Sequence, residues 1–143
     1  MQEPRPDDRF FDADNSKWQE AVDLANAALI QDPDAILSPA QSVALNLGNL
    51  RYQIDNGGVS QWFLNNPDRS DFDGVVQALL TVDRCVGAVV RTRSNELLSR
   101  LERLTHDDSP PALEGFDEFF SSQPFRNGWD CEVESYIVSQ FSE

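Results

Sequence analysis

Histidine and cysteine are scarce in this 143-residue chain: His106 is the single histidine, and Cys85 and Cys131 are the only cysteines. A Ser–His catalytic arrangement would have to use His106, which sits beside Asp107 and Asp108 in a loop-like segment. No nucleophile-elbow pattern occurs anywhere, so His106 reads as a surface side chain. Two cysteines make no disulfide scaffold and lack metal-ligand spacing, which leaves a zinc site almost nothing to draw on. A reducing cytoplasm is the expected setting. Walker A and Gly-rich dinucleotide patterns are absent, and no cofactor is expected. No apolar run approaches the roughly 20 residues of a membrane span, and the first residues, MQEPRPDDRFFDADN, contain no apolar signal-peptide core.

Positive charge is the other shortage. Lys17 is the only lysine, and 25 acids against 11 bases leave a net charge of −14. Nucleic acid and anionic lipid would repel such a chain, so neither is expected as a direct partner. The excess is uneven. Residues 1–36 carry net −6, residues 37–106 are neutral, and residues 107–143 carry net −8 with Arg126 as their one base. If the two ends meet in the fold, one face can be strongly negative. Solubility is the plainer reading of the same charge.

What is present is a helical pattern in a chain of ordinary domain size, 40% hydrophobic with three tryptophans and nine phenylalanines. The expectation is one compact all-α domain of six or seven helices. It divides into an acidic segment with one helix (1–36) and a helical domain (37–143). Ser16 caps a first helix over 17–31, with Trp18, Ala21, Val22, Ala25, Ala28 and Leu29 on its inner face. Ser38-Pro39-Ala40-Gln41 opens a second as a capping box with proline at the first position, and Gly57-Gly58 ends it. A short helix covers Ser60–Asn65 until Asn66-Pro67 stops it. Asp71 or Asp73 caps a fourth, containing Val75, Val76, Leu79 and Leu80. A long fifth runs over Asp83–Leu104, with Glu96 and Arg100 placed as an i,i+4 pair. Arg93 falls near its apolar seam and calls for a carboxylate partner, for which the acidic ends are candidates. Residues 106–111 read as loop, Leu113–Phe120 as a short helix, and Asn127-Gly128 as a turn. Asp130 then caps a last helix whose first turns hold Glu132 and Glu134.

Sites are harder to find. Arg69–Gly74 looks faintly like a calcium loop, but Arg69 occupies the first ligand position and Leu80 stands where the bidentate glutamate belongs. No pair of carboxylates is singled out for acid–base work, so an enzyme has little support. The stretch Asp55–Asn65 stands apart. Trp62 and Phe63 belong in the core, while Asn56, Gln61 and Asn65 either tie the corner together or line a pocket.

That stretch also carries a resemblance. Asn56, Gly57, Gly58, Gln61, Trp62 and Asn65 form an N-G-G-x-x-Q-W/F-x-x-N pattern, after a helix opening like Ser38–Gln41. This resembles the bacterial DNA-mimic proteins of the DMP type, a domain of unknown function. The helices over Val75–Leu80, Val86–Leu104 and Leu113–Phe120 also fit, as do Tyr136, Ile137 and Phe141. The likeness covers about residues 37–143. One departure is the Gly-Ala pair at the start of the long helix, displaced here to Gly87-Ala88.

The resemblance implies an α-helical fold, a homodimer, and occupation of the DNA-binding surface of another protein. The phosphate substitutes would be terminal acids: Asp7, Asp8, Asp12, Asp14, Glu20 and Asp23 at one end. Asp107, Asp108, Glu114, Asp117, Glu118, Asp130, Glu132 and Glu134 would serve at the other. Fourteen charges match about 24 Å of duplex at one charge per 1.7 Å, and a domain this size spans about 35–40 Å. DNA-like density therefore needs the acids on one face. The leading expectation is a non-enzymatic DNA-mimic inhibitor of a basic nucleic-acid-binding protein, a transcription factor or a defence nuclease. The alternatives are an immunity-type or adaptor protein docking through the Asn56–Asn65 corner, and a small-ligand binder or enzyme centred there.

Overall fold

Ser38 starts its helix as its neighbours demand. Its hydroxyl accepts the Gln41 N–H at 3.2 Å, the Gln41 side chain accepts the Ser38 N–H at 3.0 Å, and Pro39 needs no donor. In the computed structural model, which describes residues 6–86 and 92–141 (6–16, 86 and 141 as backbone only), this helix is the second of six. They are α1 (Pro6–Gln31), α2 (Pro39–Asn65), α3 (Arg69–Val86), α4 (Arg93–Leu104), α5 (Pro110–Ser121) and α6 (Gln123–Phe141). The described residues contain no strand, and the domain is all-α.

Among the described residues α6 packs against every other helix, and α2 against all but α4. Between them lies an aromatic spine. Trp18 meets Trp129 edge-on at 5.6 Å, Trp129 meets Phe120 at 5.4 Å, and Trp62 joins Phe63 at 5.0 Å in the next layer. All three tryptophans are buried to within 1%. The Trp18 indole N–H donates to the Ala44 carbonyl at 3.0 Å, which locks α1 onto α2. The acidic N-terminal segment thus shares the core of the rest through α1.

Several sequence-based boundaries shift. Helical backbone begins at Pro6, well before Ser16. The second helix and the short one after it are two arms of α2 joined at a kink, where Gly58 takes φ 82°, ψ 172°. α3 starts at Arg69, ahead of both Asp71 and Asp73, and the calcium-like stretch is its first turns. The long fifth helix does not form as one piece. α3 ends at Val86, and α4 starts afresh after Thr92, whose hydroxyl accepts the Asn95 N–H at 3.0 Å while donating to Asp83 at 2.6 Å. Gly87, Ala88, Val90 and Arg91 lie outside the described residues. α5 begins at Pro110, inside the expected loop, because the two prolines suit a helix's first turn.

The expected turn at Asn127-Gly128 is likewise helix, and Asp130 lies mid-helix rather than at a cap. Gly128 is there for a different reason: the Arg93 side chain lies across it where a Cβ would stand.

Candidate functional site

The C-terminal acids do not all face water. Asp130, on α6, is 7% exposed and sits between two guanidinium groups. Arg51 Nη1 lies 3.4 Å and Arg126 Nε 3.3 Å from the same carboxylate oxygen. Arg126 also forks onto Asp55 at 2.7 and 2.6 Å, and Arg51 lies 3.7 Å over the Trp18 ring. Burial pushes the Asp130 carboxyl above its ordinary range, against the pull of both arginines. Burial likewise lowers Arg51. In Arg126 burial also works against the charge, but the Asp55 and Asp130 carboxylates outweigh it and raise the pKa. A cluster of this kind joins α2 to α6; losing one partner would leave a buried charge uncompensated.

Three further candidate acids join helices by accepting backbone N–H groups. Glu134 is 4% exposed, and its two carboxylate oxygens accept the backbone N–H groups of Lys17 and Trp18, each at 2.9 Å. Glu132 accepts the N–H groups of Arg93 and Ser94 at 2.9 and 3.1 Å, and its carboxylate also lies 3.6 Å from Arg93 Nη1. That supplies the carboxylate Arg93 called for, from the acidic end, although the Arg93 side chain is half-exposed. Asp117 accepts the Val59 N–H at 2.8 Å just past the Gly58 kink. The N–H groups of Arg93 and Ser94 open α4 and that of Val59 follows the kink. Such N–H groups carry partial positive charge that holds a neighbouring helix's carboxylate strongly. Lys17 and Trp18 lie inside α1, where Glu134 adds a charge-assisted contact to the helix flank.

Asp130 and Glu134 are therefore corrected from surface phosphate substitutes to interior groups. Asp117 and Glu132, part-buried, are committed to the same internal work. Glu20, Asp23, Asp107, Asp108, Glu114 and Glu118 remain exposed. The side chains of Asp7, Asp8, Asp12 and Asp14 lie outside the described residues. Glu114 and Glu118 are one turn apart on α5, directly after the loop carrying Asp107 and Asp108. The ends of the chain do meet, through α1 and α6, but the described residues of α1 and α5 do not touch. The exposed acids consequently occupy two regions.

At the Asn56–Asn65 corner, Gly58 holds the kink and Trp62 is in the core. Gln61 and Asn65 both donate to the Gln53 side-chain oxygen, at 2.7 and 2.9 Å, so these amides tie the two arms of α2 together. Asn56 donates instead to the Tyr52 carbonyl at 2.8 Å. Gly57 stands close against the Gln61 side chain.

Sequence reasoning missed Arg51 and Gln53. Both sit on the polar side of α2, and their partners come from another helix or from beyond the kink. The i,i+4 spacing of Arg126 and Asp130 was a visible signal. Among the described residues no three metal-ligating side chains converge, and His106 is exposed. None of the described helices is long and apolar enough to cross a membrane.

Compared with known proteins, the chain matches no family model, no curated protein and no solved structure. The DNA-mimic resemblance accordingly rests on the motif residues themselves.

Proposed function

We propose that this protein is a non-enzymatic acidic inhibitor that occupies the nucleic-acid-binding surface of a basic protein partner. One observation carries the reading: six of the eight lysine and arginine side chains among the described residues lie against carboxylates of this chain, while a run of acids is left outside. Lys17, Arg51, Arg69, Arg93, Arg100 and Arg126 each lie against a carboxylate of this chain. Asp107, Asp108, Glu114 and Glu118 project from twelve consecutive residues around the start of α5. Carboxylates one helical turn apart lie about 5–6 Å from each other at Cβ, close to the spacing of phosphates along a strand.

The test is capture of a basic nucleic-acid-binding protein from host lysate, followed by challenge with duplex DNA and with salt. The reading expects release by both, and loss of capture in the charge-reversed variant Glu114→Lys/Glu118→Lys. Capture that ignores duplex and survives high salt would sink it.

A second reading, docking of a partner on the Asn56–Asn65 corner, is favoured by Leu64, which stands 77% exposed beside the amides. Under it, Leu64→Ser abolishes capture and charge reversal on α5 leaves it intact.

A further inference from the structure

A groove of about 860 Å³ runs along the α1–α2 pair, open to solvent and bounded at one side by Asp71 of α3. Its lining on α2 runs from Leu45 to Asn56, about 16 Å of helix at 1.5 Å per residue. Three of the side-chain amides along it share one orientation, while Asn49, also in the lining, donates to Asn66 and accepts from Gln53. Gln19 donates its amide N–H to Asp23 at 3.0 Å, Asn46 to the Ser42 carbonyl at 2.9 Å, and Asn56 to the Tyr52 carbonyl at 2.8 Å. A carboxylate or carbonyl can only accept, so each of these amides is fixed with its nitrogen towards its own helix. Their oxygens accept nothing among the described residues. The Asn46 oxygen lies over Gly74, where an added Cβ would fall 2.7 Å from it.

Two more polar groups complete the lining, one of them a carboxylate that can only accept. The Asp71 carboxylate and the Asn26 amide make no hydrogen bond or ion pair among the described residues. Tyr52 stands 66% exposed and offers a ring face. Val22 and Leu45 supply apolar floor. The cation in the groove, Arg51, is turned onto Trp18 and Asp130. No lysine, arginine or histidine occurs between Lys17 and Arg51 in the sequence.

We infer that this groove is a binding site for an arginine side chain on an exposed segment of the basic partner. A lining of oxygens and one unpaired carboxylate calls for a ligand made of donors. A guanidinium has five N–H groups and no acceptor, its plane stacks on an aromatic face, and its three-carbon stem covers apolar floor. Asp71, Tyr52, and Val22 with Leu45 answer those three features in turn. The inference rests on the reading that the partner is basic, and adds that one arginine is held in a shaped groove apart from the acids of α5.

The side-chain amides make the experiment direct. The ¹⁵N-labelled protein is titrated with a capped nine-residue peptide carrying one central arginine among alanine and serine, and with its lysine and neutral citrulline twins. The arginine peptide should shift the side-chain amide signals of Gln19, Asn26, Asn46 and Asn56. Asp71→Asn should weaken it about tenfold, the loss of one charge-assisted hydrogen bond. Tyr52→Ala should weaken it further, Glu114→Gln/Glu118→Gln should leave it unchanged, and the citrulline peptide should not bind. Shifts confined to α5, equal binding of the citrulline peptide, or indifference to both groove substitutions would overturn the site. A partner released by duplex but bound equally by the Asp71→Asn/Tyr52→Ala variant removes the groove and leaves the inhibitor reading standing. Arginine-peptide binding in the groove together with capture that ignores duplex does the reverse.

Discussion

The carboxylate of Glu134, 116 residues away in sequence, accepts the backbone N–H of Trp18 at 2.9 Å in a buried setting. Its other oxygen takes the N–H of Lys17, so one side chain joins the two acidic ends of the chain. Glu134→Ala should cost about 3 kcal/mol, because buried donors lose a charged acceptor. Glu134→Gln keeps one acceptor oxygen but turns its NH2 onto the other N–H, so it should recover only part of that loss. Urea unfolding of the two variants measures both values, and equal small losses would show the contact to be incidental.

Gly58 and Gly115 should respond oppositely to alanine. Gly58 has φ 82°, and a Cβ there would meet the Asp117 carboxylate oxygen at 2.6 Å, the group that caps Val59. Gly58→Ala should lose about 2–3 kcal/mol through strain and the displaced cap. Gly115 is an exposed helical residue with nothing within 4 Å of an added Cβ. Gly115→Ala should gain about 0.5–1 kcal/mol by helix propensity. Thermal unfolding of the pair tests the contrast within one protein.

Two aspartates should titrate on opposite sides of the ordinary carboxylate value. Asp107 accepts from the Ser109 hydroxyl and backbone N–H, which holds it low. Its contribution to stability is present above the unfolded value and is lost as pH falls through the depressed folded one. Asp130 is held high by burial. Between its unfolded and folded values the native state keeps a proton that the unfolded chain has released, so its contribution declines as pH rises through that window. Carbon-13 carboxyl titration should resolve the two directions. The stability margin of the wild type over Asp130→Asn should shrink as pH climbs from the unfolded towards the folded value.

The exposed acids of α5 should be separable from the fold. Glu114→Lys/Glu118→Lys is expected to change unfolding free energy by no more than about 0.5 kcal/mol per substitution, as surface changes do. Capture of the basic partner should be lost in the same protein. A large loss of stability would place these acids with Asp130 and Glu134 instead.

The helices were legible where the signal is local. The Ser38–Gln41 box and the Glu96–Arg100 pair depend on residues a turn apart, and both are found as read. Legibility failed where a neighbour overrides local preference. Asn127-Gly128 has the composition of a turn, yet it is helix in α6, with Gly128 admitting Arg93. The Asp83–Leu104 pattern suggested one helix, but Thr92 bonds to Asp83 and opens a new one.

By itself the sequence determined an all-α chain with an acidic surplus at both ends, since periodicity, caps and charge are properties of the chain. Only the tertiary structure decided which acids are spent. Asp130 and Glu134 are ordinary acids in sequence, like Glu114 and Glu118. Burial against Arg51 and Arg126, or against backbone N–H groups of a distant helix, turns them into internal supports. Coulomb attraction and desolvation depend on distance and burial in space, and neither can be read from position along the chain.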